Sequence, residues 1–273
     1  MSISQSEHDS VPHKSSVAVV IDTEDSRLVQ EAYSLREKLK KQNNPLDYIV
    51  CFGSHGVDIR SALDRGKKGQ MVDFSTIDRR TGAGNLSKKQ LFPKAIGSTT
   101  KTIIDATAGF GTDSAMLACM GYSVVAIERC PIISVLLRDG LFRALQNKDL
   151  CVALKDTLSF VEADSISELS RRKGVDVVYL DPMFPPKRKK SALPQGSIQV
   201  LKAVVGYDDE VKTMDLFRTA MNTATKRVVV KRPNHAPLFS KNPAAIHKGK
   251  LVRYEVYKPN NQRISERIQR AKK

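Results

Sequence analysis

A chain of 273 residues, 41% of them hydrophobic, can bury one large α/β core with an appendage, or two modest cores. Its 45 Lys and Arg against 29 Asp and Glu give a net charge of +16, which favours a polyanionic partner over a merely solvated surface. Nothing approaches the roughly 18 consecutive apolar residues of a membrane span, and no basic amphipathic helix argues for a membrane surface.

Residues 1–16 are polar and include Glu7 and Asp9. They lack both a secretory apolar core and the Arg-rich, acid-poor character of a transit peptide, so a disordered leader on a cytoplasmic protein is expected. Cys51, Cys119, Cys130 and Cys151 form no C-x-x-C pair and have no histidines at metal-ligand spacing, so reduced thiols and no metal are expected.

Val17 to Asp22 reads as a strand, and Leu28, Ala32, Leu35 and Leu39 recur at helical spacing after it. Asn43-Asn44-Pro45 breaks that helix, and Leu46 to Phe52 reads as a second strand. These elements predict a small N-terminal α/β subdomain over 17–70, followed by a basic connector over 71–100. From residue 101 the pattern becomes regular. Thr102 to Asp105 is a buried strand, with a Gly-containing turn and a helix near Asp113 to Met120. Ser123 to Ile127 is the next strand. Pro131 suits the first turn of a helix whose apolar face is Ile132, Leu136, Leu137, Leu141 and Leu145. A strand is expected within Val152 to Val161, another over Val175 to Leu180, a helix from about Asp209 to Ala224, and strands at Arg227 to Val230 and Leu251 to Tyr257. Such alternation predicts a mainly parallel sheet covered on both faces, over about 101–258, with a basic tail after it.

In open sheets of this kind, ligands bind beyond the carboxyl ends of the strands. The first of these strands runs into Asp105-Ala106-Thr107-Ala108-Gly109-Phe110-Gly111-Thr112-Asp113. Gly109 and Gly111 let the backbone approach a ligand closely. Glu128 closes the next strand, where a carboxylate can accept two ribose hydroxyls. A dinucleotide fingerprint wants a third glycine, but position 114 is Ser. Asp113 also has the wrong charge to face a pyrophosphate. It suits the amino group and sulfonium of S-adenosylmethionine, although a simple helix-start role remains open. Asp164-Ser165, after the third strand, could meet the adenine or equally serve as a helix N-cap.

Asp181-Pro182-Met183-Phe184 follows the fourth strand and is the most specific signal. An exocyclic amine shares its lone pair with the ring and is a poor nucleophile. The Asp181 carboxylate and Pro182 carbonyl can accept its two N–H bonds and localise that lone pair, while Phe184 stacks on the base and holds it in line. The predicted reaction is methyl transfer to such an amine. The basic run Lys187-Arg188-Lys189-Lys190, with Lys231-Arg232 after the fifth strand, is expected to grip RNA phosphates at the rim, with a solvated loop as the bland alternative for the first run.

These residues resemble the ribosomal RNA small subunit methyltransferase J family. The matching blocks include Met71 to Phe74, Arg79-Arg80, Lys94 to Gly97, Asp105 to Asp113, Glu128-Arg129 with Pro131, Val177 to Pro185, Lys190 to Leu193, Thr225 to Pro233, and Lys248-Gly249 leading to Tyr254. The resemblance implies a Rossmann-like class I methyltransferase with a mainly parallel seven-stranded sheet. It also implies methylation of N2 of a guanosine in small-subunit (16S) ribosomal RNA, with donor contacts at Thr112-Asp113, Glu128-Arg129, Asp164-Ser165 and Asp181. The chain departs from the family pattern at Thr112, where arginine is expected, and at His235, where tyrosine is usual. It is also more basic, notably over Lys187 to Lys190. The competing expectations are amino-methylation of adenine N6 or another amine on DNA or a small molecule, and a non-catalytic ribosome-assembly factor that binds RNA.

Overall fold

The computed structural model describes residues 16–39, 47–63, 69–80, 86–183 and 196–259. In chain order these form β1 (Val17–Asp22), α1 (Ser26–Lys38), β2 (Tyr48–Gly53), β3 (Gly56–Ser61), a 3-10 turn (Phe74–Thr76), α2 (Leu91–Ile96), β4 (Thr102–Asp105) and α3 (Thr112–Cys119). β5 (Ser123–Glu128), α4 (Pro131–Gln146), α5 (Lys148–Leu154), β6 (Leu158–Glu162), α6 (Ser165–Arg171) and β7 (Val175–Leu180) follow. The chain continues through α7 (Gly196–Val205), α8 (Glu210–Thr223), β8 (Ala224–Pro233), β9 (Ala245–Lys248) and β10 (Val252–Tyr257).

The main sheet has seven strands in the order β6-β5-β4-β7-β8-β10-β9. β4 to β8 run parallel, and the last two strands are antiparallel additions at one edge. This is the Rossmann-like arrangement. Its parallel strands are buried on both faces and therefore read as near-continuous apolar runs, as Val177 to Leu180 do. Helix starts carry their own caps: Asp25, Asn147, Asp164 and Asp209 each accept backbone N–H bonds, and Pro131 opens α4.

β1, β2 and β3 make a separate three-stranded sheet, yet its core is not separate. Val50, Phe52, Val57 and Ile59 belong to the same buried cluster as Ile103, Ile133 and Leu136. The seam is polar at one point. Asp139 of α4 is fully buried and accepts the Val57 N–H (2.9 Å), Arg143 Nε (2.8 Å) and Arg27 Nη2 (3.2 Å). Parts of the stretch 71–100, expected as a basic connector, are packed inside among the described residues. Val72, Phe74, Phe92, Ala95 and Ile96 are all buried, and Val72 lies so close to α4 that a Cβ on Gly140 would come within 2.5 Å of it.

Three elements add to or refine what the sequence predicts. β3 was hidden in Gly-rich text, but a two-residue turn at Ser54-His55 folds it back on β2, with Val57 and Ile59 inward and Asp58 and Arg60 less buried. α2 is only six residues long and contains Pro93, too short to show a period. The strand expected within Val152 to Val161 begins only at Leu158, because Lys148–Leu154 is a capped helix. The structure also adds edge strand β9, whose largely exposed side chains give no apolar signal.

Candidate active site

The carboxyl ends of β4, β5, β7 and β8 converge where their parallel connectivity directs a ligand. Asp105, ending β4, is 1% exposed. Its Oδ2 accepts the Ser114 hydroxyl at 2.5 Å and its Oδ1 the Thr107 N–H at 3.1 Å, so it braces the turn from beneath. Burial pushes its carboxyl up to about 7, and the two hydrogen bonds only partly oppose that rise. Above it, Gly109 and Gly111 have φ of +53° and +73°, a region that favours glycine. At Gly111 space is limiting as well, since a Cβ would come within 2.5 Å of Leu137 Cδ1.

Glu128 ties this turn to the neighbouring strand. Its Oε2 accepts the Gly109 N–H (3.0 Å) and its Oε1 the Cys130 N–H (2.7 Å). Burial raises its pKa, and the two N–H groups hold it down. Each oxygen keeps a further lone pair for a ribose hydroxyl. Asp164 caps α6 by accepting the Ser167 N–H, and the Ser165 hydroxyl donates to the Ala106 carbonyl at 2.7 Å. Of the two roles open for Asp164-Ser165, the structure displays capping and bracing. Thr112 is exposed at the start of α3.

Asp181 lies beside the glycine turn. Its backbone N–H donates to Thr107 Oγ1 at 2.6 Å. Its Oδ2 is 3.0 Å from Lys231 Nζ, which is also 3.0 Å from Asp113 Oδ2, and that oxygen accepts the Tyr179 hydroxyl at 2.6 Å. Tyr179, Asp113, Lys231 and Asp181 thus form one continuous polar chain. Burial works against the Lys231 ammonium, but the two carboxylates outweigh it and raise its pKa. Protein crowded around Asp181 pushes its carboxyl above the ordinary range, opposed by Lys231. The side chain still keeps 39% of its surface open, enough to meet a substrate.

The next peptide is fixed too. Met183 donates its N–H to Asp208 Oδ2 at 2.8 Å and accepts the Asp208 N–H at 2.9 Å, while Asp208 Oδ1 accepts Arg129 Nη2 at 3.0 Å. The Pro182–Met183 peptide is planar and trans, so anchoring the Met183 N–H turns the Pro182 carbonyl away from Asp208. Arg129 carries this restraint to the strand end that bears Glu128.

Phe184 and the run Lys187, Arg188, Lys189 and Lys190 lie outside the described residues. Lys231 and Arg232 are described, and both side chains have partners within the protein. Lys231 is committed to Asp113 and Asp181. Arg232 is 6% exposed, donates to the Pro237 carbonyl at 3.0 Å and lies over the Phe239 ring. Both side chains turn toward these acceptors because leaving the carboxylates and carbonyls unpartnered would cost more than partly desolvating the cations. The sequence reading missed Asp208 and Thr107, whose roles depend on partners 25 and 74 residues away.

The residues fit S-adenosylmethionine. Asp113 and Asp181 flank a single ammonium with Asp105 below, a setting for a cation rather than a phosphate, and Asp113 occupies the helix turn where a pyrophosphate would sit. A family model for SAM-dependent methyltransferases matches residues 32–259. Ribosomal RNA small subunit methyltransferase J from Coxiella burnetii (strain RSA 331 / Henzerling II) is 39% identical over 224 residues, 78% of this chain and 85% of the relative. The chain belongs to the ribosomal RNA small subunit methyltransferase J family. The family member from Tolumonas auensis is 34% identical over 248 residues, 88% of this chain and 97% of its own. A SAM-dependent methyltransferase from Neisseria gonorrhoeae has the same fold, with a TM-score of 0.67, 29% identity, and coverage of 89% of this chain and 96% of that one. The protein is therefore an S-adenosylmethionine-dependent methyltransferase. Among the described residues no metal-ligand cluster occurs, and no helix is long and apolar enough to cross a membrane.

Asp105 gives this site a pH signature. An unfolded aspartate ionises near 4, whereas the folded one holds its proton to about 7. The unfolded chain therefore binds fewer protons across that window, and stability contributed by this group falls as pH rises from about 4 to 7. Asp105→Asn is expected to flatten that part of the Tm–pH curve. Parallel curves for the two proteins would show that Asp105 ionises freely.

Proposed function

We propose that this enzyme, in the cytoplasm, methylates the exocyclic N2 of a guanosine in small-subunit ribosomal RNA. The observation that carries the reading is the doubly fixed Asp181-Pro182 unit: Thr107 and Lys231 hold Asp181, and Asp208 sets the direction of the Pro182 carbonyl. Two acceptors held this way can take both N–H bonds of one flat amino group. The lone pair then points out of conjugation, toward the methyl group. S-adenosylmethionine, when bound, would supply that methyl from its sulfonium, the S–CH3 bond breaking to leave a neutral thioether. Glu128 would hold its ribose and Asp113 would face its cationic groups, with Asp105 bracing the turn from beneath.

As the new N–C bond forms, positive charge builds on the nitrogen, and the Asp181 carboxylate stabilises it. The methylated nitrogen is strongly acidic, so Asp181 can take the proton and pass it to solvent through its open edge. No strong base is needed. The ribosomal RNA target is supported by the names of the relatives from Coxiella burnetii and Tolumonas auensis and by the +16 charge. The substrate base must leave its stack to reach such a site.

The test uses labelled donor with small-subunit ribosomal RNA from cells lacking the enzyme, followed by nucleoside analysis. N2-methylguanosine is the expected product. Label in N6-methyladenosine, or incorporation only into DNA, would overturn the assignment.

A further inference from the structure

Lys231 is paired with Asp113 and Asp181 and Arg232 is buried, and the other cations among the described residues are distributed unevenly. Beside the N-terminal sheet several described cations are paired with carboxylates. Arg27 and Arg138 pair with Glu31, Arg138 and Lys38 with Glu162, and Arg143 with Asp139. At the opposite edge of the main sheet the situation reverses. Lys88 and Lys89 precede α2, Lys94 lies within it, and Lys248 and Lys250 flank the turn of the β9–β10 hairpin that packs on α2. All five are exposed, and among the described residues none has a carboxylate within ion-pair distance. The positive field there is felt inside the face: after burial, Arg227 and Lys94 are what lower the pKa of His247 on β9.

A cavity of about 320 Å³ opens on this face, lined by Lys89, Leu91, Phe92, Met116, Val252 and Tyr254 among others. Phe92 and Tyr254 stack with ring centroids 4.9 Å apart and planes 8° from parallel. The cavity adjoins the catalytic carboxylate. Tyr254 lies directly opposite Lys231 in the β10–β8 register, and Met116 is one turn beyond Asp113 on α3; Lys231 contacts both Asp113 and Asp181. A narrow hairpin makes the wall possible, because a Cβ on Gly249 would come within 3.0 Å of both Leu91 Cδ1 and the Val252 carbonyl.

We propose that α2 and the β9–β10 hairpin form a docking surface for single-stranded RNA. Its phosphates run along Lys88, Lys89, Lys94, Lys248 and Lys250, and one unstacked base flanking the target enters the cavity and meets the open part of Tyr254, whose ring is backed by the buried Phe92. Unpaired lysines supply sequence-independent phosphate attraction, and an aromatic wall beside them supplies a place for a base, the combination that single-strand surfaces share. The face lies next to Asp181, so a strand held on it delivers its neighbouring nucleotide to the Asp181-Pro182 pair. This inference rests on the RNA amino-methyltransferase reading and adds where that substrate is held.

The experiment uses the full chain and undermethylated small-subunit ribosomal RNA. In the variant Lys88→Gln/Lys89→Gln/Lys248→Gln/Lys250→Gln, RNA affinity at about 0.1 M salt should fall at least about 10-fold, and the salt slope by roughly 0.7 for each lost single-strand contact, near 3 in all. Affinity for S-adenosylmethionine, measured by calorimetry, should not change. RNA carrying 4-thiouridine should crosslink to peptides containing Phe92 or Tyr254. An unchanged RNA affinity and slope, or crosslinks confined to peptides elsewhere, would overturn the docking surface. The parent reading is tested separately. If Asp181→Ala retains activity, the amine-holding assignment fails whatever the lysine variant does. If Asp181→Ala is inactive while the lysine variant binds RNA normally, only the docking surface falls.

Discussion

Asp181→Ala is expected to lower kcat by roughly 10²–10³-fold, the loss typical when one preorganised electrostatic partner of a transition state is removed. Donor affinity should weaken but remain measurable, because Glu128 and the Gly109–Gly111 turn hold their positions without Asp181. The fold should survive, since Lys231 retains Asp113 as a partner. Asp181→Asn offers a finer test. Its amide oxygen can still accept one N–H bond but cannot carry the developing charge or take the proton, so its rate should fall between those of the wild type and the alanine variant. A rate within a few-fold of wild type in Asp181→Ala would remove the amine acceptor from the mechanism and with it the reason for placing the base there.

The parallel half of the sheet was legible in the sequence because burial on both faces leaves near-continuous apolar runs within β4, β5 and β7, and because Pro131 marks a helix start without reference to anything distant. Legibility ended where structure depends on distant pairing. β3 is a strand only because Gly53 and Gly56 close a tight turn back to β2, and β9 is defined by β10 rather than by apolar side chains of its own. The site divides in the same way. Asp105, Gly109, Gly111, Asp113, Glu128 and Asp181 follow from the rule that ligands meet strand ends, and the structure gathers them. The side chains that aim them do not follow from it. Asp208 reads locally as a residue ahead of an N-cap, and only the fold brings it to the Met183 peptide and Arg129. Lys231-Arg232 reads locally as a basic rim, but three-dimensional accounting of buried carboxylates and carbonyls draws both inward.

Lys231 carries the second large effect. Among the described residues its ammonium is the one bridge between Asp113 and Asp181. Lys231→Met keeps much of the side-chain volume and removes the charge, leaving two carboxylates to face each other in a site that already raises the pKa of Asp181. Like charges this close favour protonation of one of them. A protonated Asp181 can neither accept both the hydrogen bond and the charge of the amine nor take its proton. The acid limb of the kcat–pH profile should therefore move upward, and kcat at neutral pH should fall on the order of 10²-fold, the cost of a misplaced catalytic group, with part of the loss recovered as pH rises. Stability should drop by no more than about 1 kcal/mol, because Asp113 and Asp181 keep 26% and 39% of their side-chain surface open to solvent. The KM for RNA and its salt dependence should stay near wild type, because this lysine faces the carboxylates and not the solvent. The opposite pattern, an intact kcat–pH profile with weakened and less salt-sensitive RNA binding, would return Lys231 to the rim and show that Asp181 is held in its ionised state by something other than its nearest cation.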